Sequence, residues 1–218
     1  MRIPLTKYGV RELLLFGGSA SAGIAASAAI GWWYLAPVFV LALVFVLSFF
    51  RDPSRRIPEE PGVVVAPADG KVVEVTQVDE PPLLKVPSHK IAIFMSPLNV
   101  HVNRAPCGGE VETVEYRPGR HHNAQDQEAS SENEAVAMVI RAADGRARVL
   151  VRQVAGVLAR RIVCAAAAGE RVERGQRFGM IKFGSRAEVY VPVEAGFEVR
   201  ARLGQRVRAG ETVLGRFT

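Results

Sequence analysis

The chain has 218 residues, 49% of them hydrophobic, with 28 Lys and Arg against 22 Asp and Glu and a formal net charge of +6. The positive charge is spread along the chain, with no dense basic block and no basic-aromatic interleaving, which excludes a nucleic-acid surface and leaves anionic lipid as the expected partner. Cys107 and Cys164 stand alone, without zinc or redox spacing, and read as packing residues.

Residues 13–50 carry no charged side chain. One helix needs about 20 apolar residues to span the hydrocarbon, so the run is long enough for a hairpin of two passes. The turn is expected near Gly31 to Pro37, where Trp32, Trp33 and Tyr34 suit the membrane–water interface. The apolar run is too long for a signal-peptide core. Arg2, Lys7 and Arg11 precede it and Arg51, Arg55 and Arg56 follow, so both ends are expected in the cytoplasm, on the inner face of the cell membrane. The first half is rich in Gly, Ala and Ser and is the weaker span, open to an interfacial or re-entrant placement. Residues 1–50 are thus read as a membrane anchor.

Residues 51–62, RDPSRRIPEEPG, form a proline-rich linker that continues neither helix nor sheet. From Val63 to Thr218 the pattern changes to short β-branched runs such as KVVEVTQV, KIAIFMS and AVAMVIRA, punctuated by Gly, Pro and Asp, which predicts a β-rich domain with few helices. Residues 121–134, HHNAQDQEASSENE, lack hydrophobic periodicity and read as a long loop, with His121 and His122 as loop residues. In the last third, G-E-R-V-E-R-G-Q and G-Q-R-V-R-A-G-E repeat a Gly-bounded turn around a Val. The fold class is therefore mainly β (α+β), a β-sandwich with lipoyl-like, barrel-sandwich hairpins behind a transmembrane helical hairpin.

Within Lys182-Phe183-Gly184-Ser185-Arg186, glycine leaves its carbonyl unshielded and serine places a hydroxyl beside it, a pair that permits attack on the intervening peptide bond. Taken alone, Gly184-Ser185 reads equally as a β-turn, as Asp69-Gly70 reads as a hairpin turn. His101 follows a predicted strand and has no metal-type ligand set beside it, and histidine is a residue type whose unperturbed pKa suits a general base.

Several motifs occur in one order: Phe50-Arg51-Asp52-Pro53 with Ile57-Pro58, Ala66-Pro67-Ala68-Asp69-Gly70-Lys71-Val72, and Met95-Ser96-Pro97-Leu98-Asn99-Val100-His101-Val102-Asn103-Arg104. Glu132-Asn133-Glu134, Ala155-Gly156 through Ala159-Arg160-Arg161-Ile162, and Phe183-Gly184-Ser185-Arg186 follow. In this the chain after residue 50 resembles the short, pyruvoyl-dependent subfamily of phosphatidylserine decarboxylase proenzymes. The resemblance implies cleavage between Gly184 and Ser185 into a β chain of residues 1–184 and an α chain of residues 185–218, held together as a heterodimer. It implies a pyruvoyl cofactor made from Ser185, which forms a Schiff base with phosphatidylserine and releases carbon dioxide to leave phosphatidylethanolamine, with no metal. It implies Asp69 and His101 as acid and base, with the carboxylate orienting an imidazole that takes the Ser185 proton.

Larger relatives carry Leu-Gly-Ser-Thr at the cleavage point and a second His where this chain has Arg104, so no role for that His transfers. Arg104 is open to a substrate-facing or a surface role. Other readings remain at this stage: a membrane-anchored barrel-sandwich adaptor without catalysis, or a decarboxylase of archaeal-type serine ether lipids. A homo-oligomer is also open.

Overall fold

The computed structural model describes residues 5–124, 126, 128–157, 161–182 and 185–218. Contacts divide the chain into two compact units, Met1–Ser54 and Arg55–Thr218.

The first unit is helical. A run from Lys7 to Ala29 contains a short α1 (Val10–Glu12), a π-helical stretch at Leu13–Gly17, and α2 (Gly18–Ala29). Its serines fold their hydroxyls onto the helix backbone, Ser19 onto the Leu15 carbonyl at 2.7 Å and Ser21 onto that of Gly17 at 2.9 Å. Such back-bonding makes a Ser-rich helix compatible with an apolar medium. Gly31 turns the chain at φ +80°, and Pro37 lies in the first turn of α3 (Ala36–Phe49). Helix α2 packs closely on α3 because Gly23 has no side chain: a Cβ there would lie 2.5 Å from the Phe39 ring.

Length reverses the order expected from composition. The run Lys7–Ala29, at 23 residues, is long and apolar enough to cross a membrane, whereas the more apolar helical segment Trp33–Phe49 is shorter. The turn at Gly31 ends the first run, so the second helical segment begins only at Trp33.

The second unit is mainly β and antiparallel. In chain order its strands are β1 (Val63–Val65), β2 (Gly70–Val78), β3 (Ser88–Met95), β4 (Val102–Arg104), β5 (Gly109–Arg117), β6 (Ala135–Ala142) and β7 (Arg148–Val154). They continue as β8 (Arg161–Cys164), β9 (Arg171–Val172), β10 (Arg177–Lys182), β11 (Ser185–Pro192), β12 (Phe197–Val199), β13 (Arg206–Val207) and β14 (Val213–Phe217). An eight-stranded sheet runs β13-β2-β3-β11-β7-β6-β5-β9, and two three-stranded sheets run β1-β14-β12 and β4-β10-β8. Strand alternation puts Val72, Ile91, Ile93, Val149, Val151, Ala187, Val189 and Val191 into one apolar core.

The two Val-centred repeats become β9 and β13, the opposite edges of the large sheet. Their second glycines, Gly175 (φ +78°) and Gly210 (φ +76°), meet at Ile57, where a Cβ on Gly175 would lie 2.3 Å and one on Gly210 2.9 Å from the Ile57 side chain. The sheet thus curls until its edges approach one another. Residues 55–62 lie along this unit: the Arg174 guanidinium donates to the carbonyls of Pro58, Glu60 and Val63. Residues 121–134 are less irregular than expected, since they contain the short helix α4 (Glu128–Glu132). Buried Asn133 closes the segment by donating to the carbonyls of His122 at 2.9 Å and Ala155 at 2.8 Å. That anchoring depends on partners far along the chain, which local periodicity does not register.

Candidate active site

Ser185 opens β11, opposite Met95 at the end of β3. It shares the core face of the strand with Ala187, Val189 and Val191, is fully buried, and directs its Oγ to the Met95 Sδ at 3.3 Å. The same sulfur lies 3.8 Å from the Asn103 Nδ2, which also reaches the Pro67 carbonyl at 3.5 Å. Gln153 on β7 donates from Nε2 to Asn103 Oδ1 at 2.9 Å. Phe183 and Gly184, like Ala159, Arg160 and Arg2, lie outside the described residues.

His101 is fully buried. It ends a turn fixed by Asn99, whose side chain accepts from both the amide (2.9 Å) and the hydroxyl (2.8 Å) of Ser96. The His101 carbonyl accepts from the Ile181 amide at 3.4 Å, on the strand that leads toward Ser185. Asp69 lies in the segment that follows Pro67, whose carbonyl accepts from the Arg104 amide at 2.9 Å. Its Oδ2 is paired with Arg55 at 2.9 Å and its Oδ1 accepts from the Ala209 amide at 2.8 Å. Pro67, Asn103 and the strand pair carrying Met95 and Ser185 therefore meet, while the Asp69 carboxylate is held by Arg55 and the Ala209 amide.

Arg104 is buried and donates from Nη1 to the Gly175 carbonyl at 3.0 Å. His121 and His122 pair with Glu134 and Glu132 in the 121–134 segment. Cys107 belongs to the core cluster, and burial, reinforced by Asp144, pushes its thiol up to about 12. Cys164 is partly buried and its thiol is raised as well, chiefly by burial. Among the described residues, no group of three His, Cys, Asp or Glu side chains could hold a metal.

The opposite face of β11 carries charge. Glu188, fully buried, accepts from Ser130 Oγ at 2.6 Å, Arg186 Nε at 2.8 Å, Tyr190 Oη at 2.7 Å and Arg152 Nη1 at 3.2 Å. Lys90 Nζ lies 3.0 Å from Glu74 and 3.7 Å from Glu188, and Glu74 also pairs with Arg186. Burial alone would raise the Glu188 carboxyl, but Arg152, Lys90 and Arg186 with the Ser130 hydroxyl outweigh it and hold it at about 2. Burial and the adjacent Glu188 push the Tyr190 phenol up. Sequence reasoning assigned no role to Met95, Asn103, Gln153 or this cluster. The cluster had a signal: Arg186, Glu188 and Tyr190 alternate with Ala187, Val189 and Val191, which is a polar face on an apolar strand. Met95 and Asn103 had no such signal, since their approach to Ser185 depends on long-range pairing.

Comparison with known proteins places the chain in a family. A family model described as Phosphatidylserine decarboxylase matches residues 42–215. Phosphatidylserine decarboxylase proenzymes from three bacteria are similar to the chain. That of Cupriavidus taiwanensis is 49% identical over 86% of this chain and 85% of its own length. That of Rhodopirellula baltica is 41% identical over 99% and 89%. That of Desulfotalea psychrophila is 39% identical over 98% and 97%. The chain belongs to the phosphatidylserine decarboxylase family.

Proposed function

We propose that the chain is a proenzyme that cuts itself between Gly184 and Ser185 and, once cut, decarboxylates phosphatidylserine to the ethanolamine lipid. The observation that carries this reading is Ser185 itself, a fully buried hydroxyl at the head of a strand in a chain of this family. In the cut, the Ser185 hydroxyl oxygen adds to the Gly184 carbonyl and the acyl group moves from nitrogen to oxygen. The ester then eliminates the Gly184 carboxylate to leave a dehydroalanine, and hydrolysis with loss of ammonia gives a pyruvoyl group on the Arg186 nitrogen.

The surroundings of Ser185 fit that group. The serine oxygen leaves with the Gly184 carboxylate, and because its partner at 3.3 Å is the Met95 thioether its loss would leave no strong donor unmatched; Met95 would then line the site of the methyl ketone. The pyruvoyl ketone supplies an electron sink for the substrate's amine-bearing carbon. His101 accepts the Ser185 proton and later returns a proton to the carbon that has lost carbon dioxide. Asp69 is the acid that the family resemblance implies, and its carboxylate is held by Arg55 at 2.9 Å and the Ala209 amide at 2.8 Å. Burial of Ser185 and His101 keeps bulk water from both.

Residues 1–50 act as the membrane anchor, with the basic flanks Arg2, Lys7 and Arg11 and Arg51, Arg55 and Arg56 on the cytoplasmic side, and 63–218 form the catalytic domain behind the 51–62 linker. A lipoyl-like hairpin character for the last third is supported by the matched turns at Gly175 and Gly210. A two-chain lipid seldom leaves the bilayer, so an anchored site meets its substrate by lateral diffusion. Carbon dioxide release from phosphatidylserine in detergent micelles tests the activity: borohydride added with substrate is expected to abolish it and to add the lipid's mass to the 185–218 fragment. Release that survives this treatment contradicts the reading.

A further inference from the structure

Arg186, next to Ser185, is 1% exposed and bound from two strands. Its Nε donates to Glu188 on β11 itself at 2.8 Å, and its Nη2 pairs with Glu74 on β2. Glu188 is tied in turn to Arg152 on β7, Lys90 on β3 and Ser130 on α4. The whole arrangement lies on the face of β11 opposite the Ser185 hydroxyl.

Resting on the reading that residue 185 becomes a pyruvoyl group, we propose that Arg186 is the positioning residue for that group: its buried pairs with Glu74 and Glu188 hold the new chain end once the peptide bond before Ser185 is cut. Before the cut, residue 185 is tied covalently on both sides. Afterwards its only covalent tie is the nitrogen of Arg186, and a fresh strand terminus frays unless something holds it. Pairing of Arg186 with Phe94 and Val154 fixes the backbone, and the guanidinium fixes it again from the side. Two guanidinium nitrogens on two carboxylates set a direction as well as a distance, which an ammonium does not.

The sheet is built to provide the second carboxylate. A register shift between Val72 and Glu74 keeps Val72 on the core face opposite Ile93 and places Glu74 opposite Ala92, on the face of Arg186. Without that bulge Glu74 would stand opposite Ile91 and point into the apolar core. Burying so many charges is a poor route to stability alone, since well-packed apolar residues serve as well, so the gain lies in the geometry they define.

The test uses the full chain with Arg186→Met and Arg186→Lys. Self-cleavage is followed by intact mass, carbonyl content by hydrazide labelling, and turnover in phosphatidylserine micelles is expressed per labelled carbonyl. Arg186→Met is expected to be cut like the unaltered chain, because residue 185 is still tied on both sides at that stage. Its kcat per carbonyl is expected to fall about 10- to 100-fold with KM nearly unchanged, and Arg186→Lys to recover part of the loss. An unchanged kcat per carbonyl in Arg186→Met overturns the proposal. Should Arg186→Met fail to fold, Glu74→Gln, which keeps the Glu188 pair, decides by the same ratio: a loss of about threefold or more supports the anchor and no loss overturns it. An unaltered chain that is neither cut nor carbonyl-bearing overturns the functional reading itself, and the anchor with it.

Discussion

Glu188 keeps its charge in the interior because four donors surround it, and this makes a pH-dependent contribution to stability. Its carboxyl is depressed from the ordinary 4.5 to about 2, so the contribution is fully present above the ordinary value and is lost as pH falls toward 2. A depression of this size corresponds to about 3 kcal/mol, to be seen as a falling urea midpoint between those two pH values. Glu188→Gln leaves Arg152 facing a neutral amide and Arg186 and Lys90 with Glu74 alone. It is expected to cost about 3–5 kcal/mol at neutral pH and to flatten the acid limb of the profile, both measurable by urea unfolding. A variant as stable as the unaltered chain would show that the cluster does not depend on this carboxylate.

The curled sheet depends on two turns brought together from distant parts of the chain. Gly175 has no room for a Cβ against Ile57 and sits at positive φ, so Gly175→Ala is expected to cost about 1–3 kcal/mol in chemical denaturation. Ile57→Ala in the same chain is expected to relieve part of that cost, so the double variant loses less than the sum of the two. Full additivity would mean that the edges do not meet at Ile57. The strands themselves were legible, because runs such as KVVEVTQV and KIAIFMS are β-branched and bounded by turn residues, and the repeated Gly-Val-Gly pattern was visible too. That the repeats form opposite sheet edges was not legible, nor were the shift at Val72–Glu74 and the clamp of Arg174 on residues 58–63. Each of these depends on partners far away in sequence. The helical segments were legible from their lack of charge, but their relative lengths were not, since the turn near Gly31 decides how many residues the second helix keeps.

At the scale of the whole chain, each unit carries its own packing, and Arg55–Thr218 contains the β core and Ser185. Removing Met1–Phe50 is therefore expected to leave self-cleavage in place and to depress turnover on phosphatidylserine vesicles far more than on micelles, because proximity to the bilayer is what residues 1–50 are proposed to add. Equal turnover on vesicles with and without those residues would contradict that role. The sequence offered Asp69, His101, Gly184 and Ser185 in order as candidates, whereas the surroundings of Ser185 at Met95, Asn103 and Gln153 became visible only once β3, β4 and β7 were placed. The most direct measurement is the intact mass of the purified full-length protein beside its Ser185→Ala variant. The account predicts two fragments for the first, ending at Gly184 and beginning with a pyruvoyl-blocked residue 185, and one uncut chain for the second. A single full-length mass for the unaltered protein, in a sample that still releases carbon dioxide from phosphatidylserine, would contradict it.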